Sequence, residues 1–141
     1  MSGDPDKKVL LLFDCLDWRL HPQLENYFKE RSGDCDLCVT AGSIKGLIDI
    51  ETRDFFLGQI EVSKKLHHCA GVILTMHMDC GAFGGSAAFG DRASELAHHK
   101  EQLAQAREII RQAYPEMKVD SFIIDLKRDG NGWLAVPEAV N

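Results

Sequence analysis

The 141-residue chain has 45% apolar and 27% charged residues, an ordinary globular balance, and its length predicts a single domain over residues 1–141. Its net charge of −6 argues against non-specific nucleic-acid binding, and no apolar run is long enough to span a membrane. The chain has five cysteines, an odd number, and its polar N-terminus lacks the apolar core of a signal peptide; both features favour a reducing cytoplasm. In that compartment, grouped Cys and His residues indicate a metal site or catalysis more often than disulfides.

The first third of the chain alternates between strand and helix signals. The apolar run KKVLLLF predicts a first strand that is buried on both faces. A helix is predicted from Pro22 to Arg31, where Ser32 and Gly33 stop it. The segment DLCVTAG then predicts a second strand, and SIKGLIDIE a loop or short turn.

The middle of the chain continues this alternation. A helix is predicted from Arg53 to about His67, and a third buried strand from Gly71 to Met76. The glycine-rich segment CGAFGGSAAFG forms a loop, which lacks the Lys-Ser/Thr ending of a phosphate-binding loop. A long helix from Arg92 to Tyr114 follows and ends at Pro115.

The last segments predict a strand pair. VDSFIIDL predicts a fourth strand, RDGNG a hairpin-type turn and WLAV a short edge strand. Strands that alternate with helices imply right-handed crossovers and a mostly parallel sheet. The expected fold is therefore α/β, with strand order 2-1-3-4 plus the short edge strand, flanked by helices.

Two cysteines and a histidine lie at predicted strand ends. Cys15 ends the first strand, His77 ends the third, and Cys80 follows three residues later. In an open α/β sheet ligands bind beyond the carboxyl ends of the strands, and the order 2-1-3-4 makes strands one and three neighbours. Two thiolates and one imidazole with a vacant fourth position form the pattern of catalytic zinc. The alternative is that both cysteines are small buried residues and His77 is a satisfied loop histidine.

Two motifs resemble those of the β-class carbonic anhydrases. CLDWR fits Cys-x-Asp-x-Arg and HMDCG fits His-x-x-Cys-Gly, in that family's order, and the likeness covers most of the chain. The resemblance implies a zinc lyase that hydrates CO2 reversibly to bicarbonate, as a homodimer or higher even oligomer with the site near the subunit interface. It implies that Cys15, His77 and Cys80 are the zinc ligands and that Asp17 and Arg19 are the catalytic pair.

The chemistry of Asp17 and Arg19 follows from their residue types. Zinc lowers the pKa of its bound water, which gives a hydroxide near neutral pH as the nucleophile toward CO2. Asp17 can accept the hydrogen bond of this hydroxide and so aim a lone pair at the carbon. A free carboxylate there would itself bind the metal, and the planar guanidinium of Arg19 can hold it away through a bidentate pair. The alternative for both residues is a surface ion pair after a strand.

The chain departs from the family pattern at the expected dimer contact and pocket wall. Strand one begins almost at once, where typical members have an N-terminal helical arm that embraces the partner. The second strand ends in residues 39–42, Val-Thr-Ala-Gly, where the family commonly has Arg-Asn-Ala-Gly, and Met76 stands where a Gly often precedes the ligand histidine.

Two other functions remain open from the sequence. The same scaffold resembles hydrolases of carbon disulfide and carbonyl sulfide, in which pocket access selects the substrate. The other is a non-catalytic zinc protein that acts as a scaffold or sensor. Intact Asp17 and Arg19 favour an enzyme, since a purely structural site needs neither.

Three weaker signals have structural interpretations. Cys35 and Cys38 form a Cys-x-x-Cys that enters a strand rather than opening a helix, so packing is predicted over a redox or second metal role. The segment HHC at 67–69 lies at the end of a predicted helix, where a cationic histidine interacts favourably with the helix C-terminus, so helix capping is its predicted role. His98 and His99 fall within the long helix and are predicted to be solvated.

Overall fold

A five-stranded sheet organises residues 8–140, the part of the chain that this computed structural model describes. The polar N-terminal segment 1–7, from which the absence of a signal peptide was predicted, and Asn141 lie outside the described residues. The strand order is β2-β1-β3-β4-β5, parallel except for the antiparallel pair β4 and β5, which confirms the predicted fold. The strands are β1 Val9–Cys15, β2 Cys35–Thr40, β3 Cys69–His77, β4 Lys118–Asp129 and β5 Gly132–Val140.

The three long helices lie close to their predicted positions, and a fourth, of one turn, falls in the segment SIKGLIDIE, for which a loop or short turn was predicted. They are α1 Gln23–Ser32, α2 Lys45–Ile48, α3 Arg53–His67 and α4 Arg92–Ala113. Short 3-10 turns at Trp18–Leu20, Gly81–Phe83 and Ser86–Phe89 shape the segments after β1 and β3. None of the helices in residues 8–140 has the length and apolar character that a membrane span requires.

The last strand is longer than the sequence indicates. WLAV predicts a strand that stops at Val136, before Pro137, whereas β5 continues to Val140 and pairs with β4 down to Ser121. Proline lacks the backbone N–H that a central strand would need, but an edge strand tolerates it. Because β5 has a partner on one side only, Pro137 interrupts nothing that the sheet requires.

Two apolar clusters cover the two faces of the sheet. In β1, Leu11 and Phe13 belong to the cluster that includes buried residues of α2, α3 and α4. Leu12 between them belongs to the cluster under α1, with Leu24 and Phe28. Successive strand residues point to opposite faces, so a strand buried on both faces needs a continuous apolar run. The helices thus diverge to opposite faces from neighbouring strands β1 and β3, which places a crevice at the carboxyl ends of these two strands.

Candidate metal centre

Cys15, His77 and Cys80 converge at the carboxyl end of the sheet. Cys15 is the last residue of β1 and His77 the last residue of β3, and these strands are parallel neighbours. Cys80 immediately precedes the Gly81–Phe83 turn. All three side chains are buried, and one ligand atom of each lies within 4.8 Å of the others. The structure therefore brings together all three residues that the sequence predicts as metal ligands.

The sulfur atoms are spaced as a metal would require. The Sγ atoms of Cys15 and Cys80 are 4.0 Å apart. Two sulfurs that each lie about 2.3 Å from a tetrahedral zinc are separated by about 3.8 Å. The observed separation is close to this value, and far too long for a disulfide.

The ring of His77 presents an unpaired nitrogen to these sulfurs. Its Nδ1 lies 2.7 Å from the carbonyl oxygen of Met78. A carbonyl oxygen only accepts, so Nδ1 carries the proton and Nε2 is left with a lone pair. Nε2 is buried without a hydrogen-bond partner among the described residues. Histidine that ligates through one nitrogen commonly donates the other N–H to a carbonyl, so His77 has the hydrogen bonding of a metal ligand.

The electrostatics of the two cysteines also favour a cation. The hydrogen bond from Cys80 lowers the pKa of Cys15 to about 4, against the opposing effect of burial, and His77 adds to the lowering. The same pairing, together with burial, raises the pKa of Cys80. The thiolate of Cys15 thus forms readily, whereas deprotonation of Cys80 is opposed by the negative charge of the neighbouring Cys15 thiolate. A divalent cation between the two sulfurs removes that opposition, because it favours both thiolates.

Asp17 and Arg19 form a fork-like ion pair beside these atoms. The Arg19 Nε donates to both carboxylate oxygens at 3.1 Å, and Nη2 donates to Oδ2 at 2.7 Å. The Arg19 backbone N–H donates to Oδ1 at 3.0 Å. These hydrogen bonds hold the pKa of Asp17 below its ordinary value. Asp17 Oδ2 also lies 3.8 Å from His77 Nε2, so the pair is part of the site and not a remote surface contact.

Arg19 has a second acidic partner, Asp79, that the sequence analysis did not single out. Nη1 of Arg19 donates to Asp79 Oδ2 at 3.2 Å, and Nη2 donates to the Asp79 carbonyl at 3.0 Å. The Asp79 N–H donates in turn to Oε2 of Glu95 at 2.7 Å, and Ser86 Oγ donates to Oε1 of Glu95 at 2.8 Å. Glu95 is buried on α4. A chain of hydrogen bonds therefore connects α4 through Glu95, Asp79 and Arg19 to Asp17.

An open cleft of about 820 Å³ borders the cluster. Its walls include Ala41 and Gly42, which follow β2, and the glycine-rich turn from Gly81 to Gly85. Gly85 has a positive φ of 77°, and a Cβ there would lie 3.0 Å from Asp79 Oδ1. Glycine at this position thus lets the turn pass directly over Asp79. Of the segment Val-Thr-Ala-Gly, the two residues that line this cleft, Ala41 and Gly42, are those that agree with the family pattern, whereas Val39, Thr40 and the buried Met76 are not among its lining residues.

The weaker sequence signals have separate outcomes. Cys35 and Cys38 lie three residues apart in β2, which points them to opposite faces, and burial raises the pKa of both thiols to about 11. The prediction that His99 is solvated was wrong: its side chain is fully buried, with its ring against those of Phe83 and Phe89, and burial lowers its pKa to about 4. His98 is partly buried and contacts the same two rings, that of Phe83 edge-on and that of Phe89 at a tilt.

The fold is that of the β-carbonic anhydrases. The solved structure of β-carbonic anhydrase isoform I from the protozoan Trichomonas vaginalis matches 99% of this chain and 90% of its own, with a TM-score of 0.52 at 11% sequence identity.

A sequence model of the family described as putative carbonic anhydrase matches residues 5–129, and the chain belongs to this family. Uncharacterized proteins of Rickettsia conorii and Rickettsia bellii are 26% and 27% identical to it over 124 residues. Each match covers 82% of this chain, and 67% and 76% of the respective relative.

Proposed function

We propose that the protein is a zinc-dependent carbonic anhydrase that catalyses the reversible hydration of CO2 to bicarbonate. The observation that carries this proposal is the unpaired Nε2 of His77, which is grouped with two cysteine sulfurs and lies 3.8 Å from the oriented carboxylate of Asp17. Membership of the putative carbonic anhydrase family supports it. A purely structural zinc site would close with a fourth protein ligand and would have no use for Asp17.

In this proposal Cys15, His77 and Cys80 hold the metal. Two thiolates and a neutral imidazole are ligands that zinc accepts in catalytic sites, where a fourth position stays open. When bound there, zinc supplies the Lewis acidity that lowers the pKa of a water molecule toward neutrality. The buried hydrogen bond from His77 Nδ1 to the Met78 carbonyl fixes the ring with Nε2 near the sulfurs of Cys15 and Cys80, where it would ligate the metal.

Asp17 orients the reacting water through its Oδ2 oxygen. Because its pKa is lowered by Arg19, Asp17 is a carboxylate at neutral pH and can only accept hydrogen bonds. Oδ1 accepts from the backbone N–H and Nε of Arg19. Oδ2 accepts from Nε and Nη2 of Arg19 and is the oxygen that lies 3.8 Å from His77 Nε2. Arg19 keeps this carboxylate as an orienting acceptor and prevents it from taking the open ligand position.

Asp79 serves Arg19 as a second anchor. The guanidinium of Arg19 makes five N–H···O contacts at 2.7–3.2 Å. Three of them reach the carboxylate of Asp17, and two reach the carboxylate and the backbone carbonyl of Asp79. With both sides of the fork occupied, Arg19 cannot rotate away from Asp17 without losing its contacts to Asp79. Asp79 is therefore a positioning residue that acts through Arg19.

The proposal is tested by stopped-flow CO2 hydration on protein loaded with zinc. We expect acceleration above the buffer rate, a loss of about 10²-fold or more in Asp17→Asn, and wild-type rates in Asp54→Asn, a control at an exposed position of α3. Cys80→Ala should lose zinc on metal analysis. A zinc-loaded wild type without activity would leave a non-catalytic zinc protein, and full zinc occupancy in Cys80→Ala would contradict the ligand assignment.

We also propose that a single domain spans residues 1–141 and assembles as a homodimer or a higher even oligomer in the cytoplasm. The resemblance to β-carbonic anhydrases supports the dimer, as do Leu16 and Trp18, which line the cleft with 59% and 72% of their surface exposed. All five cysteines are free thiols, which suits a reducing compartment. Light scattering that finds an active monomer at micromolar concentration would contradict the oligomer.

A further inference from the structure

A second group of potential ligands lies on the α1 side of the sheet, next to the first. Asp14 is the penultimate residue of β1 and its side chain is fully buried. His21 follows the Trp18–Leu20 turn, and Glu25 lies in the first turn of α1. One ligand atom from each of Asp14, His21 and Glu25 lies within 4.8 Å of the others. The proposed carbonic anhydrase chemistry uses none of these three side chains.

The hydrogen bonds of His21 determine which of its nitrogens faces the acids. Its Nε2 lies 2.7 Å from the carbonyl oxygen of Cys15, so Nε2 carries a proton and donates it. Nδ1 is therefore the nitrogen with a free lone pair when the ring is neutral. Nδ1 contacts Glu25 Oε1 and lies 3.7 Å from Asp14 Oδ2.

Asp14 contributes an oxygen that no donor satisfies. Its Oδ1 accepts from the Cys15 N–H at 2.9 Å and faces Thr75 Oγ1 at 3.4 Å. Its Oδ2 is buried and has no hydrogen-bond partner among the described residues. A buried, unsatisfied carboxylate oxygen is costly unless a proton or a cation meets it. With His21 neutral and its proton on Nε2, one nitrogen and two carboxylate oxygens are three acceptor atoms that face one another, so either a cation or a second proton on the ring must lie between them.

We infer that Asp14, His21 and Glu25 form a second binding site for a divalent transition-metal ion such as zinc. One imidazole nitrogen with carboxylate oxygens is a donor set that suits zinc and its neighbours in the first transition row. As in His77, one ring nitrogen of His21 donates to a backbone carbonyl, and the other, Nδ1, faces the two carboxylates that would share the ion. The side chains of His21 and Glu25 are 24% and 25% exposed, which gives an ion access from solvent.

This second site is connected to the first through the backbone. His21 donates to the carbonyl of Cys15, and Asp14 accepts from the N–H of the same residue. An ion held by Asp14 and His21 would therefore fix the peptide groups on both sides of Cys15. The chemical role that follows is structural, since the site lies under α1 and not in the cleft that contains Asp17.

The test counts bound cobalt and identifies the ligands of each equivalent. Co²⁺ bound by thiolates has intense sulfur-to-metal charge-transfer bands in the near ultraviolet, whereas Co²⁺ bound by nitrogen and oxygen has none. We expect the wild-type protein to bind two equivalents in equilibrium dialysis with elemental analysis, the second without added charge-transfer intensity. A Cys15→Ser, Cys80→Ser double variant should retain one equivalent without these bands.

Variants of the partly exposed ligands assign the second equivalent. We expect His21→Gln and Glu25→Gln each to weaken it by about tenfold or more and to leave the charge-transfer bands unchanged. Glu30→Gln, an exposed position on the same helix, is the matched control and should bind two equivalents. Circular dichroism checks that each variant is folded.

Three results would overturn this inference. The first is that the wild type binds only one equivalent of Co²⁺ and the double cysteine variant binds none. Asp14, His21 and Glu25 would then share protons instead of binding a metal. The second is a second equivalent that His21→Gln and Glu25→Gln do not weaken, because the ion then binds elsewhere. The third is weakening of the same size in Glu30→Gln. Loss of CO2 hydration activity alone bears on the first site and leaves this inference intact.

Discussion

Replacing Arg19 with alanine should inactivate the proposed enzyme while zinc stays bound. The change removes the side-chain donors that hold both oxygens of Asp17, and leaves Asp17 only the backbone N–H of residue 19. The freed carboxylate then competes for the open ligand position. The ligand atoms of Cys15, His77 and Cys80 are untouched by this substitution, so the affinity for zinc should not fall.

The distances show how small the required movement is. Asp17 Oδ2 lies 3.8 Å from His77 Nε2. An oxygen and a nitrogen that both ligate a tetrahedral zinc at about 2.1 Å are about 3.4 Å apart. A shift of about 0.4 Å between these atoms is therefore enough for a ligand-like separation. Because the carboxylate would then occupy the place of the reacting water, the loss should be no smaller than the roughly 10²-fold that misplacement of a reacting group by about 1 Å can cost in rate.

The assay is stopped-flow CO2 hydration together with zinc content and the visible spectrum of the cobalt form. Arg19→Ala should keep one metal ion in the thiolate site but show a changed ligand set, because carboxylate replaces water. Asp17→Asn should keep the water and lose activity for another reason, since the amide is a poorer acceptor. Arg92→Ala is the matched control, because Arg92 pairs with Asp125 at the surface and its side chain is 60% exposed.

Near wild-type hydration by Arg19→Ala would refute this reasoning, as would an exchangeable water that persists in its metal site. Either result would reduce Arg19 to a partner in an ordinary ion pair. The interpretation as a non-catalytic zinc protein would then gain support.

Three further predictions concern stability. Phe28→Ala should lower the free energy of unfolding by about 3–5 kcal/mol in urea titrations, because Phe28 of α1 is fully buried in the apolar cluster between this helix and the sheet, whereas Lys29→Ala at the exposed neighbouring position should change it little. Glu95→Gln should cost about 1–3 kcal/mol and reduce CO2 hydration, because an amide cannot accept from both Asp79 and Ser86 as the carboxylate does; unchanged stability and rate would contradict this. Burial lowers the pKa of His99 from its ordinary value of 6.5 to about 4, so between these pH values the unfolded chain binds a proton that the folded chain does not. Folded-state stability should therefore fall as pH is lowered from 6.5 toward 4, by up to about 3 kcal/mol from this residue, and His99→Gln should show a shallower fall over the same range.

The convergence of Cys15, His77 and Cys80 was predictable because it depends on local pattern and topology together. Cys15 and His77 each end an apolar run, and strand order 2-1-3-4 makes those runs parallel neighbours, so their ends meet. Asp17 and Arg19 are only two residues apart, and their pairing needs no long-range information. The same is not true of Asp79, which reaches Arg19 across 60 residues of sequence.

The buried face of α4 shows where the sequence interpretation went wrong and how it could have been right. The buried residues of this helix lie at spacings of three and four, which is one face of a helix; they are Glu95, His99, Leu103, Ala106 and Ile110. Glu95 and His99 were not recognised as part of that face because they are polar, and His99 was predicted to be solvated. The spacing alone, extended back from Leu103, would have placed both of them on the buried face.

The change from apolar to polar along this face coincides with a change in what α4 contacts. Leu103, Ala106 and Ile110 pack in the apolar cluster on the sheet, while Glu95 faces the backbone N–H of Asp79, beyond the end of β3. A backbone that has left the sheet needs hydrogen-bond partners, and a buried carboxylate provides two acceptor oxygens. Glu95 holds Asp79, and Asp79 with Asp17 holds Arg19, so a single arginine cation faces several acidic groups beside two cysteine thiols. In the proposed enzyme, a divalent cation at the Cys15 and Cys80 sulfurs would add the positive charge that this arrangement lacks. The loop that carries the proposed ligands and the acids that position Arg19 would therefore be stabilised by the same ion.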